Sequence, residues 1–188
     1  DLQLKLQLAF EIAAILGRIH EAGVMHRDIS SGNIMVAEDI KPGEPGWVTV
    51  IDFGLAATVR QEDLAQPIAA DIAAGTLAYI SPEQTGRMNR AVDHRSDLYS
   101  LGVTLYELFT GKLPFQAGDS MEMIHAHIAI QPIPLHEHVG DIPEIMSEII
   151  LKLLAKNAED RYQSASGLAA DFARCLDQLH RTGNVEAF

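Results

Sequence analysis

The stretch HRDISSGN, residues 26–33, places a histidine, an arginine, an aspartate and an asparagine within eight positions, directly before an apolar run. Asp, Asn, Ser and Gly commonly satisfy their own backbone in turns, so turn chemistry is one interpretation of this loop. The other is a site in which a carboxylate accepts a proton and a nearby amide oxygen binds a metal ion. The loop by itself does not decide between them.

The composition of the whole chain restricts what such a site could belong to. Its 188 residues suffice for one domain, and 47% hydrophobic with 21% charged residues is ordinary for a soluble globular protein. The net charge of −12, without any basic stripe, argues against nucleic-acid binding. The single cysteine, Cys175, favours a reducing, cytoplasmic compartment. No apolar run has transmembrane length, so direct membrane insertion is not expected.

Hydrophobic periodicity predicts a mainly α-helical domain with a small β element near its start. Residues 1–23 favour a helix that closes at Gly23. The β-rich runs at 33–39 and 46–53 flank turn residues and predict a hairpin. Residues 54–81 show little periodicity and are expected to form a long loop, which in a compact domain is usually functional or disordered.

Helical patterns dominate the rest of the chain. Residues 96–111 are apolar nearly all round, which is typical of a helix buried on every side. Residues 142–154 repeat apolar side chains at spacings of three and four and predict an amphipathic helix. Ser164 is placed to cap a last helix with an apolar face over 168–179. Four histidines also form an H-x-H…H-x-H set, at 125, 127, 136 and 138, for which zinc binding is the less favoured interpretation.

Further motifs decide how the opening loop should be interpreted. Asp52-Phe53-Gly54 directly follows the second β run, GTLAYISPEQ occupies 75–84, and DHRSDLYSLG occupies 93–102. With HRD and an asparagine five residues after its aspartate, this ordered set closely resembles the protein kinase family. A single three-residue string would be weak evidence, whereas five elements in the right order are strong.

The resemblance implies ATP-dependent phosphoryl transfer to a Ser or Thr hydroxyl of a protein substrate, with ATP and Mg²⁺ as cofactors. Within the catalytic loop, 26–33, it implies that Asp28 orients the hydroxyl and accepts its proton. Asn33 and Asp52 would supply oxygen ligands to Mg²⁺, and Met35 would form the floor under the adenine.

Three more residues have expected roles around that loop. Arg27 suits a loop whose order depends on a nearby anion. Ser30 stands where Ser/Thr members usually have a lysine that reaches the γ-phosphate. Thr76, in the segment that would face the substrate, is expected to bridge towards Asp28 rather than to be a phosphorylation site.

The resemblance also implies a set of supporting residues, namely His26, Phe53, Gly54, Glu83, Asp97 and Arg161. Asp97 would hydrogen-bond the backbone of the catalytic loop. Glu83 would pair with Arg161 in the late helices. His26 and Phe53 resemble residues whose packing sets the active arrangement.

The expected organisation is one kinase-like C-lobe over 1–188, with an activation segment at 52–83 and a helical subdomain at 96–181. Nothing in the sequence corresponds to the Gly-rich loop or the strand lysine of an N-lobe. The segments at 81–115 and 122–132 resemble large bacterial signalling proteins whose kinase-like domain precedes ATPase, sensor and histidine-kinase modules. The expected partners are therefore ATP, a protein substrate, an N-lobe and further signalling domains of the same polypeptide.

Two alternatives stand beside a Ser/Thr protein kinase whose isolated C-lobe is inactive. A pseudokinase acting as an interaction or regulatory module is motivated by Ser30 and by the few hydroxyls of the activation segment. Intact Asp28, Asn33 and Asp52 oppose it. A small-molecule phosphotransferase shares the loop from Asp to Asn, but such enzymes usually lack DFG followed by SPE and a buried helix.

Overall fold

The computed structural model describes residues 1–58 and 76–188, and for Thr58 and Thr76 only the backbone. This part of the chain is mainly helical with two short antiparallel strand pairs. The elements in chain order are α1 (Leu2–Glu21), β1 (Val24–Met25), β2 (Ile34–Val36), β3 (Val48–Val50), β4 (Ala57–Thr58), α2 (Arg95–Thr110), α3 (Ser120–Ala129), α4 (Leu135–His138), α5 (Glu144–Leu153) and α6 (Ala165–Thr182).

Helix α1 settles the ambiguity of the opening residues. The Asp1 carboxylate caps it by accepting a hydrogen bond from the Gln3 amide at 3.0 Å. The helix ends at Glu21, and Gly23 takes a left-handed conformation with φ of 75°. Leu6 and Leu16 are fully buried, and the helix packs against α6 and β3. The predicted helix and its glycine stop are present.

The predicted hairpin is the β2–β3 pair, in which Ile34 lies opposite Val50. A second pair, β1 with β4, was not predicted. Two-residue strands are too short to show alternation, and their partners are distant in sequence. The predicted loop at 54–81 therefore includes β4 and a 3-10 helix at Thr76–Tyr79, while its residues 59–75 lie outside the described part of the chain.

Helix α2 is the centre of the core, as its apolar sequence predicted. Leu98 and Leu101 are fully buried, and Gly111 ends the helix in a left-handed conformation with φ of 72°. At Gly102 an added Cβ would lie 2.7 Å from the Cβ of Leu153, so only glycine allows α5 to approach α2 this closely.

Helices α5 and α6 begin directly after Pro143 and Ser164, the residues that the sequence places at their starts. Pro143 directly precedes α5. The Ser164 hydroxyl accepts a hydrogen bond from the Gly167 amide at 3.1 Å and so caps α6. Cys175 is buried, as expected, and burial raises the pKa of its thiol to about 11. Of the helices in the described ranges, none is both long and apolar enough to cross a bilayer.

Candidate active site

The catalytic loop runs between β1 and β2 and is anchored on both sides of its aspartate. His26 and Ile29 are buried, while Asp28 between them is half-buried. Arg27 has a φ of 67°, a conformation that a residue with a side chain adopts only at a cost of about 1–3 kcal/mol. Buried neighbours therefore hold the backbone in a strained form that presents Asp28 at the surface.

Asn33 clamps the carboxylate of Asp28. Its amide nitrogen Nδ2 donates to the Asp28 backbone oxygen at 2.8 Å and to Oδ2 at 3.0 Å. The backbone N–H of Asn33 also donates to the Ser30 carbonyl at 3.1 Å, which closes a short 3-10 turn. Because Nδ2 is used on Asp28, the amide oxygen of Asn33 is the group left to bind a cation.

Asp52 is brought beside Asn33 by the hairpin. The Ile51 amide donates to the Asn33 carbonyl at 2.9 Å, which extends the β2–β3 ladder to the residue before Asp52. Asp52 itself has a φ of 62°, and its Oδ1 accepts from the Gly54 amide at 3.1 Å. An added Cβ at Gly54 would lie 3.0 Å from that oxygen, so the turn favours glycine. A carboxylate and an amide oxygen just beyond the ends of two paired strands match the ligands Mg²⁺ prefers.

His26 joins the catalytic loop to the DFG turn. Its Nε2–H donates to the Ile51 carbonyl at 3.0 Å, and its Nδ1 accepts from the Asp28 amide at 3.3 Å. These two contacts favour one neutral tautomer of the ring. The Phe53 ring lies against it with centroids 4.6 Å apart. The two predicted packing residues are thus in contact.

Asp97, in the first turn of α2, holds the loop from below. Its Oδ2 accepts from the His26 amide at 2.8 Å and its Oδ1 from the Arg27 amide at 2.7 Å, which is the predicted contact. His20 Nε2 lies 2.8 Å from Oδ2 and was not predicted. No local pattern marks His20, because it lies at the end of α1, 77 residues away from Asp97.

Glu83 and Arg161 form the expected pair. The Arg161 nitrogens donate to the two carboxylate oxygens at 2.7 and 2.9 Å, and the Ser96 hydroxyl donates to Oε1 at 2.6 Å. Burial raises the pKa of Glu83, but hydrogen bonds and charge from Arg161, with the Ser96 bond, outweigh it and bring the pKa below its ordinary value. The charged pair is buried and saturated, which such pairs require.

Two contacts between the GTLAYISPEQ motif, 75–84, and the catalytic loop were missed. Gln84 Nε2 donates to the Arg27 carbonyl at 3.0 Å. The Tyr79 hydroxyl lies 2.6 Å from Glu107 Oε2 and 2.9 Å from Ser31 Oγ. Tyr79 and Gln84 stand in the GTLAYISPEQ motif, so the motif was the available signal. Their partners follow only from the fold.

The other predicted residues lie around this cluster. Met35 is 55% exposed and Phe53 46% exposed. Ser30 is half-buried and makes no capping hydrogen bond to the turn that follows it. Arg27 Nε is buried without a hydrogen-bond partner among the described residues. The side chain of Thr76 lies outside the described part of the chain, so its expected bridge to Asp28 stays a prediction.

The histidines of the H-x-H set have separate surroundings. His127 is buried, with Nδ1 3.0 Å from the Tyr99 hydroxyl, and burial with the nearby Lys156 charge lowers its pKa to about 4. His136 Nδ1 lies 2.9 Å from Ser147 Oγ. Within 1–58 and 76–188, no cluster of three or more His, Cys, Asp or Glu side chains is arranged to hold a metal.

In the described part of the chain, the HRD loop and the DFG turn are therefore in contact through His26 and Phe53. The family model "Protein kinase domain" matches residues 4–173. The chain belongs to the protein kinase family.

Curated relatives are similar over most of this chain. It is 38% identical over 172 residues to serine/threonine-protein kinase PknB of Mycobacterium leprae, covering 89% of this chain and 26% of the relative. It is 37% identical to serine/threonine-protein kinase pkn3 of Myxococcus xanthus, covering 93% and 32%. It is 32% identical to hybrid signal transduction histidine kinase G of Dictyostelium discoideum, covering 95% and 7%. The chain thus spans a third or less of each relative's length.

Proposed function

We propose that this chain is the C-lobe of a Ser/Thr protein kinase that transfers the γ-phosphate of ATP to protein hydroxyls in signal transduction. An N-lobe of the same polypeptide would complete the nucleotide site. The observation that carries this proposal is the clamp of Asn33 on Asp28, with Asp52 held beside it by the hairpin. Relatives named as serine/threonine-protein kinases support it.

The clamp assigns different work to the two oxygens of Asp28. Oδ2 is held by Asn33 Nδ2, so Oδ1 is the oxygen that can accept the proton of a substrate hydroxyl. Holding one oxygen also orients the other, and phosphoryl transfer depends mainly on such positioning.

Asn33 and Asp52 would hold Mg²⁺ through an amide oxygen and a carboxylate. The bound ion would neutralise charge on the transferred phosphate. The positive φ of Asp52 and the bond from the Gly54 amide turn this carboxylate out of the ladder while its neighbour Ile51 stays paired to Asn33. The strain at Arg27 and Asp52 lies at the residues that face the reaction, which supports a functional role for it.

The exposed apolar residues next to this cluster support the proposal that an N-lobe covers this surface. Met35, Val36, Ile51, Phe53 and Leu55 are exposed apolar residues on or beside the hairpin. Exposed apolar residues that group around one hairpin favour a binding face. Adenine on Met35 and an N-lobe over the remaining residues would bury it.

The test compares this chain with a form that includes an N-lobe. The chain alone should fold, but it should bind ATP weakly and turn over at no useful rate, because positioning can contribute about 7–11 kcal/mol to a barrier. Calorimetry with Mg-ATP measures ATP binding, and phosphate transfer to a generic protein substrate measures turnover. Micromolar ATP binding with steady turnover by the 188 residues alone would contradict the C-lobe assignment.

A pseudokinase is the second candidate, and Ser30 is the observation that favours it. A neutral side chain at this position supplies no cation to the γ-phosphate, which weakens electrostatic stabilisation. The form with an N-lobe separates the two candidates. ATP binding without phosphoryl transfer would support the pseudokinase, whereas transfer that is lost in Asp28→Asn would support the kinase.

A further inference from the structure

The amine of Lys156, shortly after α5, lies in a half-buried cage of two aromatic rings. Its Nζ is 4.4 Å from the centre of the Phe115 ring and 5.9 Å from the centre of the Tyr99 ring. It donates one hydrogen bond, to the Ala126 carbonyl in the last turn of α3 at 3.2 Å. The ion pairs among the described residues do not include Lys156. Its charge is thus held by rings and a carbonyl, without a carboxylate.

Arg161 places a second positive charge beside this cage. Its guanidinium carbon lies 4.9 Å from the centre of the same Tyr99 ring, while its nitrogens donate to Glu83. Burial and the Arg161 charge lower the pKa of Lys156 from 10.5 to about 8. The uncharged amine is therefore well populated close to neutral pH.

The other titratable side chains of the cage are neutral. The His127 ring lies against Phe115 with centroids 5.1 Å apart, and burial with the Lys156 charge lowers its pKa to about 4. Burial raises the pKa of the Tyr99 hydroxyl above its ordinary value. Among the described residues of α2 and α3 that form the cage, no side chain brings a negative charge to Lys156.

These surroundings are the ones that make a lysine nucleophilic. An uncharged amine attacks acyl carbons, and it forms at neutral pH where an apolar pocket or a neighbouring cation disfavours the ammonium. The cage of Lys156 supplies both conditions, the two rings and the Arg161 charge.

We propose that Lys156 is a covalent modification site whose amine takes an acyl group from a small acyl phosphate. The Nζ electron pair forms a bond to the acyl carbon, and the bond from that carbon to the phosphate oxygen breaks. Phosphate leaves with that electron pair and takes up the amine proton. The proposal does not depend on the proposed phosphoryl transfer.

The product of this step fits the cage. An amide is neutral, so the rings around it no longer surround a charge, and its N–H can still donate to the Ala126 carbonyl. An anionic adduct would need a cation in the cage, and Arg161 is already held by Glu83. The cage therefore favours an acyl group over a charged modification.

The experiment treats the 188-residue chain with acetyl phosphate from about pH 6 to about pH 10 and measures the acetylation rate of each lysine by mass spectrometry. Lys152 is the matched control, because its Nζ also lies 4.4 Å from a ring centre, that of Tyr162, but its side chain is exposed. At neutral pH, Lys156 should react about 10-fold or more faster than Lys152, since burial limits access but favours the free amine.

The pH profile separates an activated amine from one that is merely accessible. The Lys156 rate should level off above about pH 8, whereas the Lys152 rate should keep rising about tenfold for each pH unit up to about pH 10. A Lys156 rate no higher than that of Lys152 at neutral pH would overturn the proposal. A Lys156 rate that rises through about pH 10 without levelling off would overturn it as well.

Unfolding shows whether the fold is the source of the reactivity. In guanidinium the two lysines should react at equal rates, because the cage is lost. Lys156→Arg should remove the fast-reacting site and leave the Lys152 rate unchanged in the folded chain. A preference for Lys156 that persists after unfolding would assign the reactivity to the neighbouring sequence and overturn the proposal.

Discussion

Two regions of the site differ in how fully their carboxylates are hydrogen-bonded. One is the surface that carries Asp28 and Asp52, here called the face, and the other is the buried region that holds Asp97 and Glu83, here called the base. On the face, Asp28 is half-buried and Asp52 is exposed, and each side chain accepts one hydrogen bond from the described residues. In the base, Asp97 is 1% exposed and contacts two backbone amides and His20. Glu83 is buried and held by Arg161 and Ser96.

This difference in hydrogen bonding distinguishes carboxylates suited to a chemical role from carboxylates that stabilise the structure. A group that must accept a proton or a metal ion needs unused hydrogen-bonding capacity, and backbone strain beside it is tolerable if the base resists it. A buried carboxylate without its partners would be costly, so the base is saturated. Substitutions on the face should therefore lower activity at nearly constant stability, and substitutions in the base should lower stability first.

The largest effect is expected for Asp28→Asn on the face. In a form with an N-lobe, loss of the proposed proton acceptor should lower turnover about 10²- to 10⁴-fold, while ATP binding and the melting temperature stay unchanged. Phosphate transfer, calorimetry and thermal melts measure these quantities. Asp52→Ala is the comparison, because it should weaken Mg-ATP binding as well. Turnover of Asp28→Asn equal to that of wild type would remove the catalytic assignment.

Arg161→Met in the base should reduce the free energy of unfolding by about 3–5 kcal/mol, since it leaves the Glu83 carboxylate buried without its partner. Urea unfolding provides the measurement. Arg90→Met breaks an exposed pair with Glu159 and should leave the unfolding midpoint unchanged. Equal effects of the two substitutions would contradict the distinction between face and base.

The same pair predicts a response to acid. The folded-state pKa of Glu83 is below its ordinary value, so its stabilisation is complete above the ordinary carboxylate pKa and is lost as the pH falls through the folded-state value. Wild type should therefore lose stability in acid more steeply than a Glu83→Gln variant. Unfolding free energies measured from neutral pH down to acid test this expectation.

Asp97→Ala should cost about 1–3 kcal/mol or more, because the amides of His26 and Arg27 lose their acceptor inside the protein. Thermal melts report the loss. Asp93→Ala is the control, since the Asp93 carboxylate is partly exposed and, among the described residues, bonds only to Arg95. Melts of Asp97→Ala that match those of wild type would place this carboxylate outside the base.

The smallest effect concerns Lys156, which burial and the nearby Arg161 charge bring to a pKa of about 8 from an ordinary 10.5. Between these values the unfolded chain binds more protons, so stability should rise with pH between about 8 and 10, by about 1 kcal/mol after allowance for solvent. Lys156→Met should lack this rise, and Lys152→Met, whose ammonium lies over the Tyr162 ring, should keep it. A rise of equal size in Lys156→Met would exclude Lys156 as its source.

The sequence determined the elements whose signals are local. Helix α2 is apolar on every side, α6 has its serine cap, and turn residues separate β2 from β3, so each could be predicted from neighbouring residues. The motif order likewise identified the family and the residues around Asp28. The short pair β1–β4 was missed, because two residues carry no periodicity.

Only the tertiary structure decided which of these residues touch. His20 meets Asp97 across 77 positions, Glu83 meets Arg161 across 78, and Tyr79 meets Ser31 across 48. The Glu83–Arg161 pair could be expected from the resemblance to a family. The sequence around His20 carries no sign of its contact with Asp97, and the GTLAYISPEQ motif marks Tyr79 but not its partner. Hydrogen bonds between distant residues depend on how the helices pack, and packing is a property of the whole core. The sequence thus predicts which groups react, and the fold determines which carboxylates are fully hydrogen-bonded and which keep acceptor capacity.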